Sequence, residues 1–474
     1  MFNLTNKYLI FFLFVLFGLI LRFYNINFDN YWYDEIISFW VASPAHNLYE
    51  SHNIHNRIEI NTYSYNFLLK LFYQIFGYDS DFGRYLSLFF SILSLLVVPL
   101  FFDGKNSTKE GFLFLFLLSF NIYLISYSQE ARVYSALFFF SSLFVFFFKK
   151  FIENKNNFLD YLLLIFCSLA AIFLHPFAII ILIACLFFLF LKYYFHKIIY
   201  DKLNYSLILI TVITTIFYFF FINSLEHPNP EHYWIKHPDL KFYTNFFFSN
   251  FFGSRIMGLS FLIILIFLLM KESNFIKKLN FKSFLLILII FSYFLPILFG
   301  YLYKPVLLSR YIIFVIFPIL LLISNLIFKI KSLNIQNFLV AFLALITIAN
   351  HFTEQSFKQF LNTRIPSKPE YFKAINYIKN SGNFKYFIKV ENMKSNRDSS
   401  NAIKNYIDHI SAKNDTQLKF LNFSKERFNN KVFWIFCVQD INPKECLPPK
   451  SLTAFEIIEE KNFNNINLKL LQTD

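Results

Sequence analysis

SFLLILIIFSYFLPILFG, residues 283–300, runs for eighteen positions without a charged side chain. A helix rises about 1.5 Å per residue, so this run extends roughly 27 Å, close to the hydrocarbon thickness of a bilayer. Comparable apolar runs fall at 8–23, 84–102, 111–126, 133–148, 158–174, 176–193, 205–222, 255–270, 309–328 and 337–352. With 56% hydrophobic and 16% charged residues, the 474-residue chain is too apolar for an ordinary soluble protein. The predicted fold class is an all-α polytopic membrane protein of about eleven transmembrane helices, with interfacial helices in the first outer loop and a small C-terminal α/β extracytoplasmic domain. The 72 Phe are read as compositional bias and carry no chemical inference.

Short-loop lysines set the orientation. Lys7, Lys105, Lys109, Lys149, Lys150, Lys192, Lys197, Lys271, Lys277, Lys282, Lys329 and Lys331 all fall on the side of the N-terminus. The positive-inside rule then places the N-terminus in the cytoplasm and, after an odd number of spans, the C-terminus outside. The expected location is the cell membrane, inner or plasma. The net charge of +14 is on this reading a topological signal and not a nucleic-acid footprint. The first run is not a cleavable signal, because no small-residue cleavage site follows it and Arg22-Phe23-Tyr24 reads as an interfacial anchor.

Two domains are expected: a transmembrane domain over 1–352 and an outer domain over 353–474, with a helix near Ala402–Ile410 and strands at 386–390 and 432–438. Cys167 and Cys185 lie within spans as small apolar fillers, whereas Cys437 and Cys446 fall in the outer domain, where a disulfide is permitted. No inner loop is large enough to fold and no Gly-rich phosphate loop is present, so a nucleotide has nowhere to bind. Any group transferred outside must arrive activated and attached to lipid.

Candidate chemistry sits in two short polar stretches. Asp34 and Glu35 follow the aromatic girdle Asn30-Tyr31-Trp32-Tyr33 and precede an amphipathic segment. One reading makes Asp34 a helix N-cap and Glu35 a first-turn acid. The other uses a carboxylate at the outer interface to take a proton from an attacking hydroxyl, and the two are compatible. The second stretch, Tyr127-Ser128-Gln129-Glu130-Ala131-Arg132-Val133-Tyr134, opens the fourth span. As a helix it would put Glu130 and Tyr134 on one face, and Gln129 and Arg132 on a neighbouring one. Arg132 stands on a side otherwise poor in cations. Arg84 and Arg310, at the outer ends of the second and tenth spans, fit either a snorkelling anchor or a phosphate ligand. His227, His232 and His237 match no standard zinc spacing and, like His46, His52 and His55, read as solvated loop residues. His175 reads as a capping or interfacial residue. No metal ligand set and no cofactor is predicted.

Taken together, these residues resemble the PMT-type glycosyltransferases of the C superfamily, a group that includes protein mannosyltransferases and the aminoarabinose transferases of lipid A. The resemblance is carried by Asp34-Glu35, by Asn66 to Phe72, by Gly83-Arg84-Tyr85-Leu86-Ser87, and most strongly by Tyr127 to Tyr134. Ser309-Arg310-Tyr311 followed by Pro318 is a weaker match. Two departures stand out: Thr62-Tyr63 replaces the family's frequent Pro-Pro pair, and Ile37 stands where some members carry a basic residue. The resemblance implies transfer of a sugar, with inversion, from a polyprenyl-phosphate donor to an acceptor hydroxyl at the outer face. It implies Asp34 as general base, Glu35 and Glu130 as orienting carboxylates, and Arg132, Arg84 and Arg310 as ligands of the departing phosphate. Gln129, Tyr127 and Tyr134 are expected to bind substrate. The implied partners are the lipid-linked sugar donor, a lipid, glycan or protein acceptor, and membrane lipids. The alternative is a membrane transporter or flippase of lipid-linked sugars, against which the nearly charge-free span centres argue.

Overall fold

The computed structural model describes residues 4–59, 61–102, 108–199, 201–224, 235, 248–272, 279–353, 366–383, 385–390, 397–421, 431–438 and 455–473. In chain order its principal helices begin with α1 (Leu4–Phe23), α2 (Tyr33–Val41), α3 (Leu48–Ile58), α4 (Ser64–Phe76), α5 (Ser80–Val97) and α6 (Thr108–Ser119). There follow α7 (Ile122–Ser128), α8 (Tyr134–Ile152), α9 (Phe158–Leu174), α10 (Ile179–His196), α11 (Asp201–Ser224), α12 (Arg255–Lys271) and α13 (Phe281–Leu302). The remainder are α14 (Ile316–Ile327), α15 (Leu333–Thr353), α16 (Tyr371–Ser381) and α17 (Arg397–Lys413). The strands are β1 (Lys385–Val390), β2 (Lys419–Phe420), β3 (Val432–Val438), β4 (Phe455–Phe463) and β5 (Ile466–Thr473).

All eleven segments expected to span the membrane lie in helices, but fewer qualify as spans. Among the described residues, six helical stretches are long and apolar enough: Ser80–Phe101, Tyr134–Ile152, Pro176–His196, Phe281–Leu302, Ser309–Ile327 and Leu333–Phe352. The pair α6 and α7, bent by 55°, makes a seventh if taken as one broken span. The apolar stretches Tyr8–Phe23, Phe158–Leu174 and Leu203–Tyr218 are shorter, and α12 has 17 residues. The bend has a local cause. Asn121 caps α7 by accepting from the Leu124 N–H at 2.9 Å, and its amide donates to the Phe251 carbonyl at 3.0 Å, so the ladder breaks between Ser119 and Ile122.

The chain divides into two compact units, and the division is not at residue 352. The first comprises 1–24, 60–64 and 87–364; the second comprises 25–59, 65–86 and 365–474. The C-terminal segment therefore groups with residues 25–59 and 65–86 instead of forming a domain of its own.

In the first unit α1 packs on α6, α8 on α9, α10 on α13, and α14 on both α6 and α13. Arg22, expected to be an interfacial anchor, is instead fully buried. Its Nε donates to Ser91 Oγ (2.8 Å), Nη1 to the carbonyls of Gly18 (3.0 Å) and Ser119 (2.7 Å), and Nη2 to that of Leu118 (3.1 Å). The Leu118 and Ser119 carbonyls belong to the last turn of α6, which lacks intrahelical donors and carries the negative end of the helix dipole, so a guanidinium there satisfies both. Large apolar side chains elsewhere in the unit face outward, among them Phe158, Met270, Leu302 and Leu345, each at least two-thirds exposed, as suits a lipid-facing surface.

The second unit holds a five-stranded sheet of order β2-β1-β3-β5-β4, in which β1 is parallel to β2 and β3, while β5 is antiparallel to β3 and β4. Both expected strands and the expected helix are present within it. Cys437, in β3, is disulfide-bonded, while Cys167 and Cys185 are free; Cys446 lies outside the described residues. Helix α16 ends at Gly382, whose φ of 73° is the left-handed C-cap conformation that glycine adopts without Cβ strain. Helix α17 packs against α2 and β1. There the Tyr406 ring stacks on Tyr31 (centroids 5.4 Å, planes 4° apart), and its hydroxyl accepts from the Tyr31 N–H at 2.8 Å.

On α17, His409 accepts from the Ser80 N–H at 3.3 Å and lies 3.5 Å from Asp79. Burial outweighs the nearby carboxylate and holds the imidazole below its ordinary range, so the folded unit binds it neutral. Its contribution to stability is therefore complete above about pH 6.5 and is lost as pH falls through the depressed value. Acidification from neutrality is expected to lower the unfolding midpoint of the second unit, and His409→Gln to flatten that part of the pH profile, as read by thermal unfolding across pH.

Candidate functional site

In the second unit, Trp32 ends the extended entry segment and α2 begins at Tyr33, placing Asp34 and Glu35 in its first turn. Trp32, not Asp34, is the N-cap. Asp34 is half-buried there. Glu35 is fully buried and gripped from several sides. Arg84 forms a two-pronged pair with it, Nε to Oε1 at 2.9 Å and Nη2 to Oε2 at 2.9 Å. Lys368 Nζ reaches Oε2 at 3.0 Å, and the Trp32 N–H points at the same oxygen at 3.4 Å.

The remaining hydrogens of Arg84 go to the carbonyls of Ile26 (2.8 Å), Asp29 (2.8 Å) and Asn30 (3.2 Å). A guanidinium has five N–H donors, and all five are committed to protein oxygens here. The geometry thus gives Arg84 and Glu35 a structural role in place of the phosphate-binding and orienting roles expected of them. They form a buried knot that fixes the chain entering α2 and, with it, the placement of Asp34.

Gly83 explains part of the Gly-Arg-Tyr-Leu-Ser stretch. A Cβ at this position would come within 2.3 Å of both the Tyr31 and the Tyr73 hydroxyl, two buried rings with no room to retreat. Gly83→Ala is expected to destabilise the protein by about 1–3 kcal/mol, measured as a lowered thermal midpoint with the overall secondary structure retained.

The Asn66 to Phe72 segment lies in α4 and is likewise structural. The Asn66 amide nitrogen sits 3.0 Å from His55 Nδ1, and Lys70 Nζ donates to the Ser43 carbonyl and, at 2.7 Å, to that of His46, pinning the turn between α2 and α3. His55 is buried, so it is not the solvated loop residue expected. Lys70 stands within the Asn66–Phe72 stretch, where it was given no role of its own; Lys368 belongs to no motif, and its partner lies 333 positions away.

In the first unit, residues Gln129 to Val133 are not helical. Helix α7 stops at Ser128, Gln129 is its C-cap and α8 starts at Tyr134. The helix faces expected for Glu130 with Tyr134, and for Gln129 with Arg132, therefore do not exist, because the chain turns where a helix was predicted. The turn is closed by the Arg132 N–H to the Glu130 carbonyl (2.7 Å) and held by Ser87 Oγ on the Arg132 carbonyl (3.0 Å). The Gln129 amide is occupied by the carbonyls of Arg22 (3.0 Å) and Tyr24 (3.2 Å), so it secures the end of α1 and does not reach for a substrate.

Around this turn the ends of several elements converge. Tyr127 lies between Tyr123 (4.7 Å between centroids) and Tyr134 (5.0 Å). His175 caps the short 3-10 turn Pro176–Ala178 through Phe177 N–H, as a capping residue should, and packs on Tyr311 at 4.7 Å. The Arg310 guanidinium lies over both Tyr134 (5.9 Å) and Tyr311 (5.7 Å). The Tyr127 hydroxyl is acted on by both the Glu130 carboxylate and the Arg310 guanidinium. The first unit thus brings Tyr127, Glu130, Arg132, Tyr134 and Arg310 to one end of its bundle, together with His175. Asp34, Glu35 and Arg84 belong to the second unit. His227, His232 and His237 lie outside the described residues, and among the described residues no cluster of three His, Cys, Asp or Glu has metal-binding proximity.

No protein-family model matches the chain. No curated protein is significantly similar to it.

Proposed function

We propose that the chain is a membrane glycosyltransferase that moves a sugar from a polyprenyl-phosphate donor to an acceptor hydroxyl at the outer face, with inversion. The observation that carries this reading is the Tyr127–Tyr134 stretch. It resembles the PMT-type signature closely, and its Glu130 and Arg132 stand in a fixed turn beside Arg310 and a wall of tyrosines. A carboxylate, a guanidinium and aromatic faces in one place, with Arg132 two residues from Glu130 in the same turn, are the kinds of side chain that recognise a sugar phosphate. The knot around Glu35 supports the reading indirectly, because it fixes Asp34 on a rigid helix start.

In the proposed reaction the acceptor oxygen attacks the anomeric carbon, and the bond from that carbon to the phosphate oxygen breaks. Asp34 takes the acceptor proton, and polyprenyl phosphate leaves with the electron pair. Glu130 orients the sugar. Arg132 and Arg310 stabilise the charge that grows on the leaving phosphate, an interaction that strengthens toward the transition state. No nucleotide enters, because the donor is already activated.

The proposed topology puts the N-terminus in the cytoplasm and residues 353–474 outside. A reporter fused after Asp474 is expected to be active only when exported; activity confined to the cytoplasm would refute the outer active face. Mass spectrometry of cell-envelope glycans, with and without the protein, is expected to reveal one sugar lost from a lipid, glycan or protein acceptor. An unchanged envelope glycome would argue against the assignment.

A further inference from the structure

At the other end of the first unit a cavity of about 430 Å³, with both apolar and charged walls, opens among the helix ends. Its charged lining comes from Glu110, Lys149, Glu153, Lys192 and Lys282, and its amides from Asn280 and Asn325. The three lysines come from three helices: Lys149 from the last turns of α8, Lys192 from α10 and Lys282 from the start of α13. Tyr134 and Lys149 are separated by fifteen residues of α8, roughly 22 Å along its axis. The cavity therefore lies at the opposite end of α8 from the tyrosine cluster and belongs to no part of the reaction proposed above.

Its electrostatics are unbalanced. Lys192 is only 9% exposed, and among the described residues it makes no ion pair or hydrogen bond. Lys282 abuts Lys329 closely enough for the two ammoniums to act on each other. Lys329 is turned to Glu272 at 3.1 Å, and Glu153 is shared between Lys155 at 3.0 Å and Lys149 at 4.0 Å, which leaves Lys192 without a carboxylate of its own among the described residues. Glu110 is left facing Lys149, Lys282 and Lys329. Burying an ammonium without a counter-charge is unfavourable, and an anion in the cavity would relieve it. The Lys149 ammonium is held at the wall by donation to the Phe101 carbonyl at 2.9 Å, and the Lys282 backbone N–H donates to Asn280 Oδ1 at 3.0 Å, which fixes the start of α13.

We infer that this cavity binds a phosphate group, taken either from the headgroup of an anionic phospholipid or as a soluble phosphate. Lysine binds phosphate as a point charge. The volume falls within the range of small-molecule sites, and basic pockets between transmembrane helices suit anionic headgroups. The inference is independent of the glycosyl-transfer reading and stands or falls without it.

The test uses the full chain, purified and delipidated. One arm titrates inorganic phosphate against chloride at constant ionic strength and follows the thermal midpoint. The other compares nanodiscs of phosphatidylcholine with and without phosphatidic acid, and counts retained lipids by native mass spectrometry. Saturable binding is expected in at least one arm, and the arm that responds identifies the source of the phosphate. Loss of one charge-assisted contact should weaken it about tenfold or more in Lys192→Gln and Lys282→Gln, while Lys271→Ala, an exposed lysine outside the lining, binds as the parent does. If Lys192→Gln does not fold, Lys282→Gln and the parent titrations decide. Absence of saturable binding in both arms, or parental affinity in a folded Lys282→Gln protein, would overturn the inference.

Discussion

Arg84→Ala is expected to cost about 3–5 kcal/mol, enough to unfold the unit formed by residues 25–59, 65–86 and 365–474. The substitution strands a fully buried Glu35 carboxylate with Lys368 as its remaining cation, and removes the donors from the Ile26, Asp29 and Asn30 carbonyls. Each buried acceptor left without a donor costs about 1–3 kcal/mol in addition. Arg84→Lys is no rescue, because an ammonium has three donors where the site consumes five. Glu35→Gln should also be severe, since it leaves two cations around a neutral amide. Glu35→Met with Arg84→Met should recover only the part of the loss that comes from the stranded carboxylate, because it removes the lone charge but leaves the Ile26, Asp29 and Asn30 carbonyls without their donors. Thermal unfolding and limited proteolysis of purified protein read these differences. Parental stability in Arg84→Ala would show that the knot is not what holds this unit.

The membrane class was legible because hydropathy is a local property: eighteen apolar residues in a row need no partner to be recognised. The same locality explains what was missed. Arg22 next to two aromatics has the composition of an interfacial anchor, and only the spatial arrival of the α6 carbonyls reveals it as a buried clamp. Glu35 and Arg84 were both noticed as polar groups at helix ends. Their pairing across 49 positions, which removes both from the candidate site, leaves no periodic trace. The Gln129–Val133 turn was misread because none of its residues is a strong helix breaker; it is Ser87 and the end of α1, far away in sequence, that hold it open. The domain boundary was drawn at a composition change, whereas the structure joins the tail to the first loop through Tyr406, Ser399 and Lys368.

The second large effect concerns Asp34. Its side chain stands at the second position of α2 on the rigid entry that Glu35 and Arg84 secure, and unlike Glu35 it retains solvent access. A general base typically contributes about 10² to 10⁴ in rate. Asp34→Asn keeps the shape and loses the proton acceptor, so turnover should fall by about that factor with folding and donor binding preserved. Arg132→Ala should lower donor affinity as well as turnover, because a phosphate ligand acts in the ground state and the transition state alike. The measurement that bears most directly on this account is release of polyprenyl phosphate from a polyprenyl-phosphate sugar, by purified parent protein and by Asp34→Asn shown to be folded and inserted. The account predicts release by the parent, with the sugar recovered on the acceptor, and release about 10² to 10⁴ slower by Asp34→Asn. Movement of the intact lipid-linked sugar across vesicles without release, or an Asp34→Asn rate equal to that of the parent, would contradict it.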